Sequence, residues 1–116
     1  MNWKNITSIE QLEQIDELSQ KQPVLIFKHS TRCSISATAL ARMERKYSAD
    51  DAPALETYFL DLIAHRDVSN AIASRYQVEH QSPQALLIQQ GESVYDNSHL
   101  GISFEELVEN IRPVTV

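Results

Sequence analysis

Cysteine is nearly absent from this sequence: among its 116 residues there is one, Cys33. A single cysteine cannot form a disulfide within the chain, so nothing implies an oxidising compartment, and we expect a cytoplasmic protein. No apolar run approaches the ~20 residues that a membrane-spanning helix needs. The N-terminus lacks the apolar core and cleavage site of a secretory signal. We therefore expect a protein that works in the cytoplasm without a membrane partner.

Positive charge is also scarce, since 10 lysines and arginines stand against 16 aspartates and glutamates, for a net charge of -6. Binding to a nucleic-acid backbone requires a basic stripe that displaces counterions, and the sequence offers none. We therefore expect no nucleic-acid partner. The length suits one core rather than two, so the prediction is a single domain over residues 1–116.

Hydrophobic spacing divides the chain into alternating helices and strands. Residues 24–27 are apolar without polar alternation, which is typical of a strand covered on both faces. Ser8, Asp67 and Ser103 are the predicted N-caps. The predicted elements, in chain order, are a helix over residues 8–21, a strand over 24–29, a helix from Cys33 to about residue 48, a strand over 55–63, a helix from 67 to 76, a hairpin of strands over 84–90 and 93–96 with its turn at Gly91-Glu92, and a helix that ends before Pro113.

The resulting order, α-β-α-β-α-β-β-α, predicts the fold class. A βαβ unit, for which a right-handed parallel crossover is strongly favoured, is followed by a β-hairpin and a terminal helix. This is the order of the thioredoxin-like α/β fold, with a central four-stranded mixed sheet, helices on both faces and one extra helix at the start. In that fold the reactive cysteine precedes the helix after the first strand, and a proline opens the third strand beside it. Cys33 and Pro83 occupy these two positions.

Cys33 lies where a strand passes into the first turn of a helix. Unpaired backbone N–H groups and the positive end of the helix dipole favour the thiolate over the thiol at such a place. Arg32, and more weakly Lys28 and His29, add local positive charge in an acidic chain. A lone cysteine is more often an inert buried residue. The flanking cations and Pro83 instead predict a reactive thiolate, the nucleophile of thiol–disulfide exchange.

The segment 31–36, TRCSIS, contains a C-x-x-S motif and resembles the YtxJ family of monothiol bacilliredoxins. The similarity extends over nearly the whole chain and includes residues 80–84, HQSPQ, and the Ser98-His99 pair. The resemblance implies that the protein reduces mixed disulfides between cytoplasmic protein thiols and a low-molecular-weight thiol. That thiol, bacillithiol or a similar molecule, is a co-substrate, and no bound cofactor is implied.

The resemblance also assigns roles to the residues of the site. Cys33 takes the small thiol onto itself, Pro83 is a cis-proline next to it, and Ser82 offers backbone groups to the substrate. Ser36 replaces the second cysteine of a dithiol thioredoxin, so it cannot resolve the intermediate, but its hydroxyl is placed to hydrogen-bond the thiolate. The predicted catalytic residues are Cys33 and Ser36, and the predicted substrate-binding residues are Arg32, Ser34, His80, Ser82 and Pro83.

Two other functions stay open at the level of sequence. A redox-inactive thioredoxin-fold module would bind a partner through the same groove without a reactive thiol. A peroxide sensor would form sulfenic acid on Cys33. A metal site is not supported, because the four histidines share no ligand spacing and Cys33 has no cysteine partner.

Overall fold

A five-stranded mixed sheet forms the centre of the protein, whose computed structural model describes residues 1–113. The first three strands are parallel to one another, and the last two continue the sheet in antiparallel fashion. The predicted α/β thioredoxin-like architecture is confirmed, whereas the predicted count of four strands is wrong. The strands are β1 (Lys4–Asn5), β2 (Val24–His29), β3 (Glu56–Asp61), β4 (Gln84–Gln89) and β5 (Glu92–Ser98), in the spatial order β1-β3-β2-β4-β5.

The strand that the sequence did not predict, β1, is too short to produce a periodic pattern. Its two residues are exposed and pair with Tyr58 and Phe59 at the edge of the sheet. Ile6 follows directly, is buried, and donates its N–H to the carbonyl of Phe59 at 2.9 Å. The strand therefore depends on pairing with β3, a distant part of the chain, and not on its own residues.

Within the described residues, four α-helices cover the two faces of the sheet: α1 (Gln11–Ser19), α2 (Ser34–Lys46), α3 (Arg66–Tyr76) and α4 (Phe104–Glu109). Helices α1 and α3 pack with Val24 and Ile26 of β2, whereas α2 and α4 pack with Leu25 and Phe27. Successive side chains of a strand point to opposite faces, so both faces of β2 are buried. This burial accounts for the absence of polar alternation in its sequence.

The ends of the helices partly differ from the predictions. Ser8 is not an N-cap, because α1 begins at Gln11, whose Oε1 atom accepts the N–H of Ser8 at 3.0 Å from the preceding turn. Asp67 is not a cap either, since it lies within the first turn of α3. The cap at Ser103 is confirmed, because its Oγ atom accepts the N–H of Glu106 at 3.2 Å.

The hairpin turn between β4 and β5 lies at Gln90-Gly91, one residue earlier than predicted. Both residues have positive φ, 54° and 73°, which a two-residue hairpin turn of this type requires. None of the helices in residues 1–113 is both long and apolar enough to cross a membrane. Residues 114–116 of the predicted domain lie outside the described residues.

The sheet topology brings three loops to one edge. Lys28 near the end of β2 pairs with Gln84 at the start of β4, so the loop that leads to Cys33 borders the loop that ends at Pro83. The loop after β3 joins them, because the N–H of Leu62 donates to the carbonyl of His29 at 3.0 Å. The order of the strands thus brings the loops of Cys33 and Pro83 together at one place.

Candidate active site

Cys33 is the N-cap residue of α2, and its side chain is half-buried. Its N–H donates to the carbonyl of Ser30, and its carbonyl accepts the N–H of Ala37, each at 3.2 Å. The sulfur therefore lies at the N-terminus of the helix, an end at which unpaired N–H groups favour negative charge. It accepts no capping hydrogen bond from the described residues. The predicted position of Cys33 is confirmed.

The Ser82–Pro83 peptide bond is cis, as predicted. Pro83 is buried, and its carbonyl accepts the N–H of His99 at 3.0 Å, a residue with a positive φ of 56°. Neither the backbone N–H nor the carbonyl of Ser82 has a hydrogen-bond partner in residues 1–113, and its buried hydroxyl has none there either. The peptide at this edge of the sheet thus retains a free donor and a free acceptor.

The hydroxyl of Ser36 belongs to a buried hydrogen-bonded chain. Its Oγ atom accepts the N–H of Ser30 at 3.0 Å and lies 2.7 Å from Nδ1 of His29. Burial lowers the pKa of His29, although Asp61 and Glu44 act in the opposite direction, so the imidazole is neutral at pH 7. A hydroxyl oxygen has one donor proton and two acceptor lone pairs, so the direction of the bond between Oγ and Nδ1 follows the tautomer of the imidazole.

This chain connects the loop before Cys33 to the strand beneath it. Ser30 is held through its N–H by Ser36, and its carbonyl in turn holds the N–H of Cys33. Ser36 therefore positions the turn that carries the thiol. A hydrogen bond from Ser36 to the Cys33 thiolate stays a prediction, since the partners of Oγ in the structure are Ser30 and His29.

Aromatic rings explain why His29 is neutral. The centroid of its ring lies 5.4 Å from that of Phe59 and 6.5 Å from that of Phe27. Trp3 packs against both phenylalanines, with centroids 5.9 Å away in each case. The expectation that His29 adds positive charge beside Cys33 is therefore wrong, because this apolar environment disfavours the charged imidazolium.

Lys28 is fully buried, and its Nζ atom has no hydrogen-bond partner in residues 1–113. Burial lowers the pKa of its amine to about 8. The alternation of β2 places its side chain on the face of Val24 and Ile26, opposite to that of His29. Of the three cations predicted near Cys33, only Arg32 is exposed and available to an approaching anion.

The remaining predicted substrate-binding residues occupy different environments. Ser34 is exposed at the start of α2, and its carbonyl accepts the hydroxyl of Thr38 at 3.0 Å. The Nδ1 atom of His80 lies 3.3 Å from Oγ of Ser69, and the pKa of His80 is lowered by burial and then by the charges of Lys28 and Arg66. Ser34 thus adjoins Cys33, whereas His80 contacts α3.

Sequence reasoning missed two features of this site: the buried amine of Lys28 and the role of Ser30 as the anchor of the loop. The burial of Lys28 was indicated by the sequence, because a strand that is covered on both faces also buries the residue that continues it. The role of Ser30 was not indicated by any sequence pattern, because the hydrogen-bond partners of Ser36 depend on how α2 packs. No three histidine, cysteine, aspartate or glutamate side chains in the described part of the chain are grouped to hold a metal ion.

Comparison with known proteins gives a consistent assignment. A family model described as "Monothiol bacilliredoxin BrxC" matches residues 4–107, which include every predicted site residue. A solved structure described by its thioredoxin fold is 31% identical, with a TM-score of 0.79, over 93% of this chain and 92% of that chain.

Two solved thioredoxins are more distant relatives. The thioredoxin of Trypanosoma brucei brucei is 18% identical, with a TM-score of 0.68, over 94% of this chain and 87% of its own. The thioredoxin of Fasciola hepatica is 17% identical, with a TM-score of 0.64, over 83% of this chain and 86% of its own. At this level of identity, the two likenesses establish the fold alone.

Proposed function

We propose, from the premise that this chain belongs to the monothiol bacilliredoxin family, that it removes a low-molecular-weight thiol from S-thiolated cytoplasmic proteins. Family and fold together support a thiol oxidoreductase role in general. The observation that carries the finer proposal is the single, half-buried Cys33 at the N-cap of α2, on the sheet edge that also holds the Ser82–Pro83 peptide. Bacillithiol or a similar thiol is the proposed co-substrate, with no bound cofactor.

The first step is an exchange in which the Cys33 thiolate attacks the small-thiol sulfur of a mixed disulfide. A disulfide bond forms between Cys33 and the small thiol, and the bond between the small thiol and the substrate protein breaks. The electron pair of the broken bond leaves with the protein sulfur, which takes a proton from water. The attacking sulfur lies at the N-terminus of α2, and Arg32 beside it is exposed to an approaching anionic substrate.

The second step needs another thiol, because Cys33 is the only cysteine in the chain and Ser36 cannot replace one. A thiolate of a second small-thiol molecule attacks the mixed disulfide on Cys33. The Cys33 thiolate is released, and the two small thiols leave joined as a symmetric disulfide. Over both steps, the mixed disulfide and one free small thiol are converted to the free protein thiol and one symmetric small-thiol disulfide.

Ser82 supplies the groups for holding an extended substrate segment. Its free N–H and carbonyl are a donor and an acceptor of the kind that pair with a passing strand. Such pairing fixes the backbone on either side of the modified cysteine, so that the disulfide lies in line with Cys33. Backbone pairing does not depend on the substrate sequence, which suits an enzyme with many protein substrates.

The test is turnover of a peptide with one cysteine S-thiolated by bacillithiol, in the presence of excess free bacillithiol. We expect the wild-type protein to release the peptide thiol and the Cys33→Ser variant to release none above the uncatalysed rate. Thr38→Ala, a change at an exposed hydroxyl of the same helix, is the matched control and retains wild-type turnover.

The alternative functions give different results in the same assay. A redox-inactive binding module would bind the peptide but release no thiol above the uncatalysed rate, in the wild type as in Cys33→Ser. A peroxide sensor would leave the disulfide intact and would be oxidised at Cys33 by dilute hydrogen peroxide. Either result contradicts the proposal.

A further inference from the structure

A cavity of about 180 Å³ lies between α2 and the start of α4, and its wall carries an excess of positive charge. Arg42, Arg45 and Lys46 line one side, at positions i, i+3 and i+4 of α2, which places them on the same side of that helix. Glu105 is the one acidic residue of the lining, and Phe104 contributes apolar surface. Three cations against one carboxylate make this pocket positive in a chain with a net charge of -6.

The three cations are largely free of strong partners. Arg42 donates to the carbonyl of Leu100 at 3.2 Å, which leaves its charge uncompensated. Lys46 and Glu105 are 3.8 Å apart with side chains that are 65% and 73% exposed, and such exposed pairs contribute little. Arg45 forms no ion pair with any residue from 1 to 113. An anionic group that enters the pocket therefore meets positive charge that is not already neutralised.

Contacts within the fold connect this pocket to the edge that carries the thiol. Leu100, which Arg42 holds through its carbonyl, is 55% exposed and follows His99, whose N–H binds the carbonyl of Pro83. Ile35, next but one after Cys33, is 43% exposed. Ile35 lies seven positions before Arg42 and therefore on the same side of α2, so two exposed apolar side chains accompany the helix side that lines the pocket.

The distance from the thiol indicates what the pocket can hold. With a rise of 1.5 Å per helical residue, Arg42 lies about 14 Å and Arg45 about 18 Å along α2 from Cys33. A peptide segment that extends from the reacting cysteine along α2 spans this distance. An extended peptide covers about 3.4 Å per residue, so side chains about four to six residues from the reacting cysteine reach the pocket.

We infer that the pocket of Arg42, Arg45 and Lys46 docks acidic side chains of the substrate protein, about four to six residues from its S-thiolated cysteine. The inference rests on the proposed function and adds a preference among protein substrates. The partner is an acidic protein segment, because charge complementarity favours carboxylates, and the exposed Ile35 and Leu100 suit apolar side chains between them.

The experiment compares three peptides, each S-thiolated at one cysteine, that carry glutamate, glutamine or lysine at the fourth, fifth and sixth positions on both sides. For the wild type at low salt, we expect kcat/KM for the glutamate peptide to exceed that for the glutamine peptide about five-fold, and the lysine peptide to be the poorest. The preference should decline in 0.5 M salt, because exposed charges are screened.

Two variants with the same change of net charge distinguish an effect of the pocket on peptide preference from an effect of the overall charge of the protein. Arg45→Gln combined with Lys46→Gln should bring the three peptides to within two-fold of one another. Lys21→Glu, at an exposed position two residues after the end of α1, should leave the five-fold preference unchanged. In a single turnover, the symmetric small-thiol disulfide, which carries no peptide segment, transfers one small thiol to Cys33 and releases the other; the rate of this mass gain should be equal in all three proteins and reports that each is folded.

The inference is overturned if the wild type does not distinguish the three peptides, or if Lys21→Glu reduces the preference as much as the double variant does. Failure of the proposed function gives another result, which is no turnover of any peptide by the wild type. The two failures are therefore distinguishable within one set of measurements.

Discussion

Replacing Lys28 by methionine should stabilise the protein. Lys28 is fully buried, its Nζ atom has no partner in residues 1–113, and burial lowers the pKa of its amine to about 8 from an ordinary 10.5. A charge buried without a partner opposes folding. Methionine fills a similar volume with an apolar side chain, so it removes the unfavourable group without leaving a cavity.

The magnitude follows from the pKa difference between the unfolded and folded states. Each pKa unit corresponds to about 1.36 kcal/mol, so a fall from 10.5 to about 8 amounts to about 3 kcal/mol at pH 7. Between pH 8 and 10.5 the unfolded chain binds a proton at Lys28 that the folded chain has lost. In that window, the stability of the wild type rises with pH.

Urea unfolding of the wild type and Lys28→Met, measured by circular dichroism at several pH values, checks this reasoning. We expect the variant to be more stable by up to about 3 kcal/mol at pH 7 and the difference to shrink steadily as the pH rises from 8 to 10.5. Lys21→Met, at an exposed position, should change stability by less than about 0.5 kcal/mol throughout. A destabilised Lys28→Met protein, or a difference that does not depend on pH, would refute the reasoning.

Two further predictions concern the buried chain beneath Cys33. Ser36→Ala leaves the N–H of Ser30 and Nδ1 of His29 without their hydrogen-bond partner. Its free energy of unfolding in urea should be about 1–3 kcal/mol lower than that of Ser34→Ala, which is the same change at an exposed site of the same helix. Equal stability of the two variants would contradict the observed hydrogen bonds. In an NMR pH titration, the imidazole of His29 should remain neutral to a pH below 6.5, because burial lowers its pKa. In Ser36→Ala the imidazole stays packed against the same rings, so its pKa should remain below 6.5, and a rise to 6.5 would count against burial as the cause of the lowered pKa.

The parts of the fold that the sequence predicted are those with a local cause. The bounds of β2 were predicted correctly, because four consecutive apolar residues between Pro23 and a polar turn are typical of a strand buried on both faces. Cys33 at a helix start, the cap at Ser103 and the cis bond at Pro83 likewise followed from residue type and position within a recognisable order of elements.

The parts that the sequence did not predict have causes elsewhere in the chain. Strand β1 exists because Lys4 and Asn5 pair with β3, and two residues carry no periodicity of their own. The neutral state of His29 results from rings that belong to β2, β3 and the N-terminal segment. The hydroxyl of Ser36 is hydrogen-bonded to His29, which lies seven positions earlier and meets it only when α2 packs against the sheet.

The central claim is that Cys33 receives a small thiol from a protein mixed disulfide. The most direct measurement is the intact mass of the protein, quenched in acid within seconds of mixing with an equimolar bacillithiol-modified peptide and no free thiol. We expect a gain of one bacillithiol, located at Cys33 by peptide mapping, together with an equal amount of free peptide thiol. An unmodified protein beside an intact modified peptide would contradict the claim.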